Sequence, residues 1–329
     1  MEKFKNLKAV KVIGFNRIVL IVVFLLLYLF FAIFTPILHG GASFMESERI
    51  FSALNYAYFL GFLALGVTFV IATGGIDFSI GPVMFTSALI SGYCLMQYHI
   101  PLWLCLIISL AVGSIFGLFN GYFVAYRLLP SFVTSLASIE IAKGVGSVFT
   151  QTQSVTWPTA GNANSWYRGF VRCGNIPTGL IFLFVVAAIC GIVLDKTKAG
   201  RYMLCIGSNR EAVRLSGVNT KKWEMLAYII CGLLAGAAAI FYVGSYTTVQ
   251  PGLGDNFNND AIAACVMGGT SMAGGIASIL GTIIGTIIMA LMQEGILAMG
   301  FTISYQYVIS GIIVLIAVTA DTLSRRRRN

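Results

Sequence analysis

Four carboxylates lie in or beside the long apolar runs of this 329-residue chain: Asp77, Glu140, Asp260 and Glu294. An ionised side chain at membrane depth costs ~2.5–3.5 kcal/mol even on an insertion scale, so each needs a physical reason. Glu140 stands three residues before Lys143, at helical pairing distance, and an internal salt bridge accounts for it. Glu294 lies near the outer end of its run, where snorkelling hydrates it. Asp77 belongs to Thr73-Gly74-Gly75-Ile76-Asp77-Phe78-Ser79-Ile80-Gly81-Pro82. Two glycines there break one helix, and Asp77 or Ser79 caps the next, with Pro82 in its first turn. Asp260 closes the polar stretch 250–259 and reads as a second N-terminal cap, in front of Ala261. Broken helices at membrane depth are buried in protein or line a cavity. The chemistry open to these acids is hydrogen bonding to a polar solute, or carriage of a proton or sodium ion. Hydrolysis is not indicated: His39 and His99, the only histidines, lie near membrane surfaces without an H-E-x-x-H or G-x-S-x-G motif. A phosphate loop is absent too, so ATP is not bound by that route.

These residues must be held by membrane-spanning helices. The chain is 58% hydrophobic and 10% charged, with a mean hydropathy of +0.88. A soluble domain carries roughly a quarter charged residues, so a water-soluble globular protein is excluded. The expected class is an all-α polytopic membrane protein with about ten spans, each needing about 20 apolar residues. The first is read from Ile18 to Leu38; the others lie near 55–73, 80–97, 101–124, 131–150, 177–194, 223–248, 259–272, 276–298 and 301–320. Segment 259–272 is the weakest, being short and broken by Gly268-Gly269, and half-insertion is an alternative for it. The basic tail 1–17, the basic loop 195–222 and the basic end 321–329 all fall inside on this count, as the positive-inside bias requires. The membrane domain is then 18–320, with both termini cytoplasmic. The outer loop 151–176 departs mildly with Arg168 and Arg172, while Trp157, Trp166 and Tyr167 suit a membrane interface. The net charge of +9 therefore reads as topology and not as a nucleic-acid surface. Seven dispersed cysteines read as small packing residues, without a disulfide or metal framework.

Smaller patterns refine this. Gly113, Gly117 and Gly121 are four apart, as are Gly232 and Gly236, and Gly281 and Gly285, spacing that lets helix backbones approach closely. A Gly-Gly break in each half hints at related halves. In loop 195–222, Asn209-Arg210-Glu211-Ala212-Val213-Arg214-Leu215 opens with a cap and ends at Ser216-Gly217, predicting a helix of about two turns outside the membrane. Its apolar side is Ala212, Val213 and Leu215. It reads either as a plug for a groove on a cytoplasmic partner or as a plain surface helix.

Four blocks in order resemble the bacterial ABC-transporter permeases of the ribose/galactoside/xylose uptake group. They are 73–81; Asn120-Gly121 with Pro130-Ser131-Phe132-Val133-Thr134; 207–218; and Asp260-Ala261-Ile262-Ala263-Ala264 through Gly268-Gly269-Thr270-Ser271 to Gly274-Gly275. Together they span roughly 50 to 323. The resemblance implies a ten-helix permease acting as a homodimer or homologous heterodimer in the bacterial inner membrane. Its partners would be a cytoplasmic ABC ATPase that binds the ATP and an extracytoplasmic solute-binding protein; the chain itself would need no cofactor. The third block looks like the family's coupling helix, which makes Gly207, Asn209, Arg210, Glu211, Ala212, Arg214, Ser216 and Gly217 the ATPase-coupling candidates. The translocation-path candidates are Asp77, Ser79, Asn120, Asn258, Asp260 and Glu294. Two departures bear on the solute: Asn258 where the family often has Glu, and Glu140 where an apolar residue is usual. The implied cargo is a monosaccharide; nucleosides, furanose signals and branched-chain amino acids are alternatives. The rival reading is an ion-coupled secondary transporter or channel using Asp77, Asp260 or Glu294.

Overall fold

A computed structural model describes residues 15–38, 44, 46–174 and 176–326. The tail up to residue 14, His39 and residues 327–329 lie outside it, as do the side chains at the C-terminal arginines. Its helices are α1 (Phe15–Leu38), α2 (Ser47–Ala72), α3 (Ile80–Gln97), α4 (Leu102–Ala125), α5 (Ser131–Phe149), α6 (Thr178–Lys196), α7 (Lys198–Leu215), α8 (Thr220–Tyr246), α9 (Asp255–Met267), α10 (Ile279–Ala298) and α11 (Ile303–Arg326). Eight of these are long and apolar enough to cross a membrane among the described residues. The chain is a multi-pass helical membrane protein.

Three expectations are corrected here. The second span begins at Ser47, eight residues before 55, because Glu48 in the first turn suits the positive helix end and Arg49 reaches Glu294 at 3.9 Å. The segment expected over 259–272 is a 13-residue helix that starts at Asp255; at about 1.5 Å per residue it is too short to cross ~30 Å of hydrocarbon. The basic stretch 195–222 is helical almost throughout, since α7 fills 198–215 and α8 begins at Thr220.

The core is α2, buried continuously from Tyr56 to Ala72. It lies antiparallel to α8, with Phe59 beside Tyr246, Phe62 stacked on Phe241 and Gly66 on Cys231. Around this pair, α2–α5 and α8–α11 repeat one packing scheme: the first helix of each set packs on the third of the other, and within each set the second packs on the third and fourth. The halves are therefore related, with opposite sense. The Gly-Gly breaks are not their corresponding positions, however: 74–75 follows the first helix of its set, and 268–269 follows the second.

The glycine ladders pack inside this one chain. Gly113 faces Gly232 and Gly236, Gly117 faces the Tyr228 carbonyl, and Gly121 faces Met225, bringing α4 and α8 into backbone contact. Gly281 and Gly285 do the same against Gly268 and Ala264. Five cysteines are buried, but Cys173 and Cys205 are exposed and so are not packing residues.

The segment 151–176 folds as a cap. Val155–Thr156 pairs antiparallel with Thr248–Val249. Trp157 and Tyr167 are buried under it, with the Trp157 indole donating to the Ala88 carbonyl at 3.2 Å. Of the three aromatics expected at a membrane interface, only Trp166 is exposed. Burial pushes the Tyr167 phenol up to about 12. The Arg172 guanidinium lies 3.9 Å over the Phe51 ring, which accommodates a cation on this face.

Candidate translocation and coupling sites

The break at 73–79 builds the first polar cluster. Asp77 accepts from the Ser79 amide at 2.8 Å and the Ser79 hydroxyl at 2.6 Å, a local turn that starts α3. Asn120, on α4, donates to Asp77 Oδ2 at 3.1 Å and to Ser79 Oγ at 2.9 Å, and its own carbonyl accepts from Ser138 on α5. All four residues are buried. Three candidates from two separate blocks are thus joined in one network, and the space between them is too tight for a water. Sequence reading missed Ser138; its only signal is a hydroxyl on the same helix face as Thr134 and Ser135.

The Asn258 side chain reaches across to α3 and accepts from the Gly81 amide at 2.7 Å, satisfying a free donor of the helix start. Gly81 and Gly254 touch through their backbones there, so the first turns of α3 and α9 meet head to head. Gly254 holds φ +119, a conformation that L side chains rarely adopt.

Asp260 is not a cap. It lies mid-helix in α9, because Asp255 already opens that helix. Its carboxylate accepts from Tyr56, from Gln306 at 2.9 Å and from Ser310 at 2.8 Å. Gln306 and Ser310 are four apart on α11, a legible polar pair on an apolar helix, whereas Tyr56 carried no signal. Beside the cluster is a cavity of about 180 Å³ that includes Tyr56, Phe59, Tyr242, Phe257, Asp260 and Gln306.

The remaining acids find other partners. Glu140 does not pair with Lys143; it is exposed on α5, and Lys143 binds Asp255 on α9 instead. Glu294 is half-buried and faces Arg49 rather than snorkelling alone.

The coupling candidates lie on α7 and its C-terminal turn, Ser216 and Gly217; α7 kinks at Asn209 (φ −159, ψ 95). The Asn209 side chain caps the second half by accepting from the Ala212 amide at 3.0 Å, as its sequence predicts. Gly217, at φ +82 with open space around it, ends the helix beyond Ser216. Arg210 donates to Glu224 on α8 at 2.7 Å, tying this helix to the spanning bundle. Glu211 and Arg214 pair along the exposed side, with Nε to Oε2 at 2.9 Å. That hydrogen-bonded guanidinium holds the Glu211 carboxyl below the usual carboxylate range. Ala212 and Leu215 are exposed, so the face is partly apolar.

Just before the kink, Gly207 wedges between the end of α2 and the Gly274-Gly275 turn. Its Cα region abuts the Ala72 carbonyl and the Gly275 amide, while Gly274 lies against Gly74. The Gly275 amide donates to the Ala72 carbonyl at 3.1 Å. The first break read from the sequence and the Gly274-Gly275 turn that follows the second therefore meet at the root of the α7 kink.

Inverted helical halves, one polar cluster buried at a helix break and another within α9, and a kinked, partly exposed helix rooted between the halves define a membrane transport subunit, a permease. A family model described as branched-chain amino acid transport system / permease component matches residues 49–318, and the chain belongs to that family. It is 32% identical over 281 residues to the ribose import permease protein RbsC of Escherichia coli strain K12, covering 85% of this chain and 87% of that one. The ribose import permease protein RbsC of Bacillus subtilis strain 168 is also 32% identical, over 85% of this chain and 86% of its own. The xylose transport system permease protein XylH of Haemophilus influenzae is 29% identical over 87% of this chain and 92% of its own. No solved structure matches the chain.

Proposed function

We propose that the chain is the membrane subunit of an ATP-driven importer that carries a monosaccharide across the bacterial inner membrane. The observation that carries this is the similarity to ribose and xylose permeases over most of the chain. In this reading two permease subunits associate, a cytoplasmic ATPase binds the ATP, and an extracytoplasmic binding protein delivers the sugar. The helix 210–215 seats on the ATPase. Closure of the ATPase moves that helix, and the motion passes through Gly207 to the breaks at 73–79 and 268–278. The first break holds the buried cluster at Asp77, and α9, which runs into the second, carries Asp260, so the path opens and closes by rearrangement around these two clusters.

The geometry supports this coupling route in one respect above others: the helix is exposed on one side and locked to the bundle on the other by Arg210–Glu224. Substituting Glu211 or Ser216 by alanine is expected to lower uptake and substrate-stimulated ATP hydrolysis together, by about fivefold or more, in liposomes holding permease and ATPase. Both residues are exposed, so the bundle should keep its thermal stability. Coupling at the wild-type level in both variants would sink the assignment.

A further inference from the structure

We infer that the cavity beside Asp260 is a sugar-binding subsite within each permease subunit, distinct from any path formed between two subunits. This rests on the monosaccharide reading above and adds a place for the sugar. A neutral monosaccharide offers hydroxyl donors and apolar C–H faces, so its site needs well-placed acceptors and aromatic walls. This cavity has both. Phe59, Tyr242, Tyr246 and Phe257 form its aromatic wall, with ring centroids of neighbouring pairs 5.1–6.0 Å apart.

The acceptors are waiting. Gln306 is 1% exposed, and its Nε2 donates to Asp260 at 2.9 Å, which fixes the amide and leaves Oε1 as a buried acceptor without a partner. Gln293 Oε1, on the same cavity, is likewise buried and unmatched. An orphaned buried acceptor is costly, and a native structure holding two on one cavity points to a ligand that donates to them. Asp260 is already engaged by Tyr56, Gln306 and Ser310, so it orders the amide rather than offering a bare charge.

Size and charge narrow the ligand. About 180 Å³ holds one sugar ring and little more; drug-sized pockets run to ~300–1,000 Å³. The lining contains a carboxylate and no basic side chain, which disfavours the carboxylate of a branched-chain amino acid. Access is on the side of Tyr246 and Tyr307, 42% and 41% exposed. Asn256 donates to the Tyr307 hydroxyl at 2.8 Å and steadies that rim.

The test uses the full chain reconstituted with its ATPase, with D-ribose or D-xylose supplied on a matching binding protein, and follows uptake and ATP hydrolysis together. Gln293→Leu removes one waiting acceptor without touching Asp260. Tyr246→Ala removes an exposed ring at the rim. Sugar moved per ATP is expected to fall about tenfold in Gln293→Leu and about fivefold in Tyr246→Ala, with hydrolysis stimulated by the loaded binding protein kept within twofold of wild type. Should Gln293→Leu fail to assemble, Tyr246→Ala decides alone. Unchanged uptake per ATP in the variants overturns the subsite while the permease reading stands. Uptake and hydrolysis falling in step also overturn it, because the residues would then be structural. A wild-type complex that hydrolyses ATP yet moves neither sugar overturns the monosaccharide reading and the subsite with it.

Discussion

Gly207→Ala is expected to leave no properly folded, transport-competent protein, read as loss of a monodisperse peak in detergent and of all ATP-driven uptake. The added methyl would overlap the Ala72 carbonyl oxygen and come within 2.5 Å of the Gly275 nitrogen. Both obstacles are backbone, so no flexible side-chain tip can swing aside, and the Gly275-to-Ala72 hydrogen bond would have to break as well. Overpacking a dense site typically costs ~1–3 kcal/mol, and a clash confined to main chain belongs at or above the top of that range. Two other glycines provide the controls. Gly217→Ala meets no neighbour within 4 Å and suffers only its positive φ, a cost of ~1–2 kcal/mol. Gly144→Ala, in open space on a helix, should be tolerated or mildly stabilising. If Gly207→Ala behaves like Gly144→Ala, the junction at the α7 kink is not the tight wedge described.

Asp77→Ala is the second large effect. It removes the acceptor for the Ser79 amide, the Ser79 hydroxyl and the Asn120 amide group in a place closed to water. Each buried donor left unmet costs ~1–3 kcal/mol, so a loss of several kcal/mol is expected before any repair by a trapped water. Asn120 retains its bond to Ser79, which limits the damage. Asp77→Asn keeps one oxygen for the Ser79 turn but turns a donor toward Asn120, so its loss should be roughly half. Thermal unfolding of the purified complex ranks the variants, and uptake is expected to fall at least tenfold in Asp77→Ala. Equal stability of all three proteins would show that the network is dispensable.

What was legible in the sequence was local. The helix break at Gly74-Gly75, the Asn209 cap and the Gly217 stop each depend on residues within three or four positions, and the structure has them as read; Asp77, read as a cap, instead folds back on Ser79, and α3 starts without a side-chain cap. The other errors share the opposite cause. Lys143 has Glu140 one turn away but binds Asp255, 112 residues distant, because α5 presents it to the start of α9. Asp260 carries a cap signature, yet Gly254 and Asp255 lie upstream and open the helix first. Trp157 has the composition of an interfacial residue, but the strand pair 155–156 with 248–249 folds it inward. Tyr56, Gln306 and Ser310, the partners of Asp260, and Ser138, the partner of Asn120, are set by how helices cross, and crossing is not written in any one helix.

The head-to-head meeting of α3 and α9 at Gly81 and Gly254 also has an electrostatic meaning. Each helix start carries roughly half a positive charge from its aligned peptide dipoles, so two like poles are pressed together inside a low-dielectric bundle. Left alone they repel. Asp77 stands just ahead of one pole, Asp255 opens the other helix, and the Asn258 oxygen bridges the gap between them. Asp77, one of the acids that looked anomalous in an apolar chain, and Asp255, which also pairs with Lys143, offset those poles and let two inverted halves share one seam. Any motion that slides the halves apart must break the Asn258–Gly81 hydrogen bond across the seam, while Asp77 and Asp255 each travel with the pole they offset, so the seam can open and close without stranding either charge.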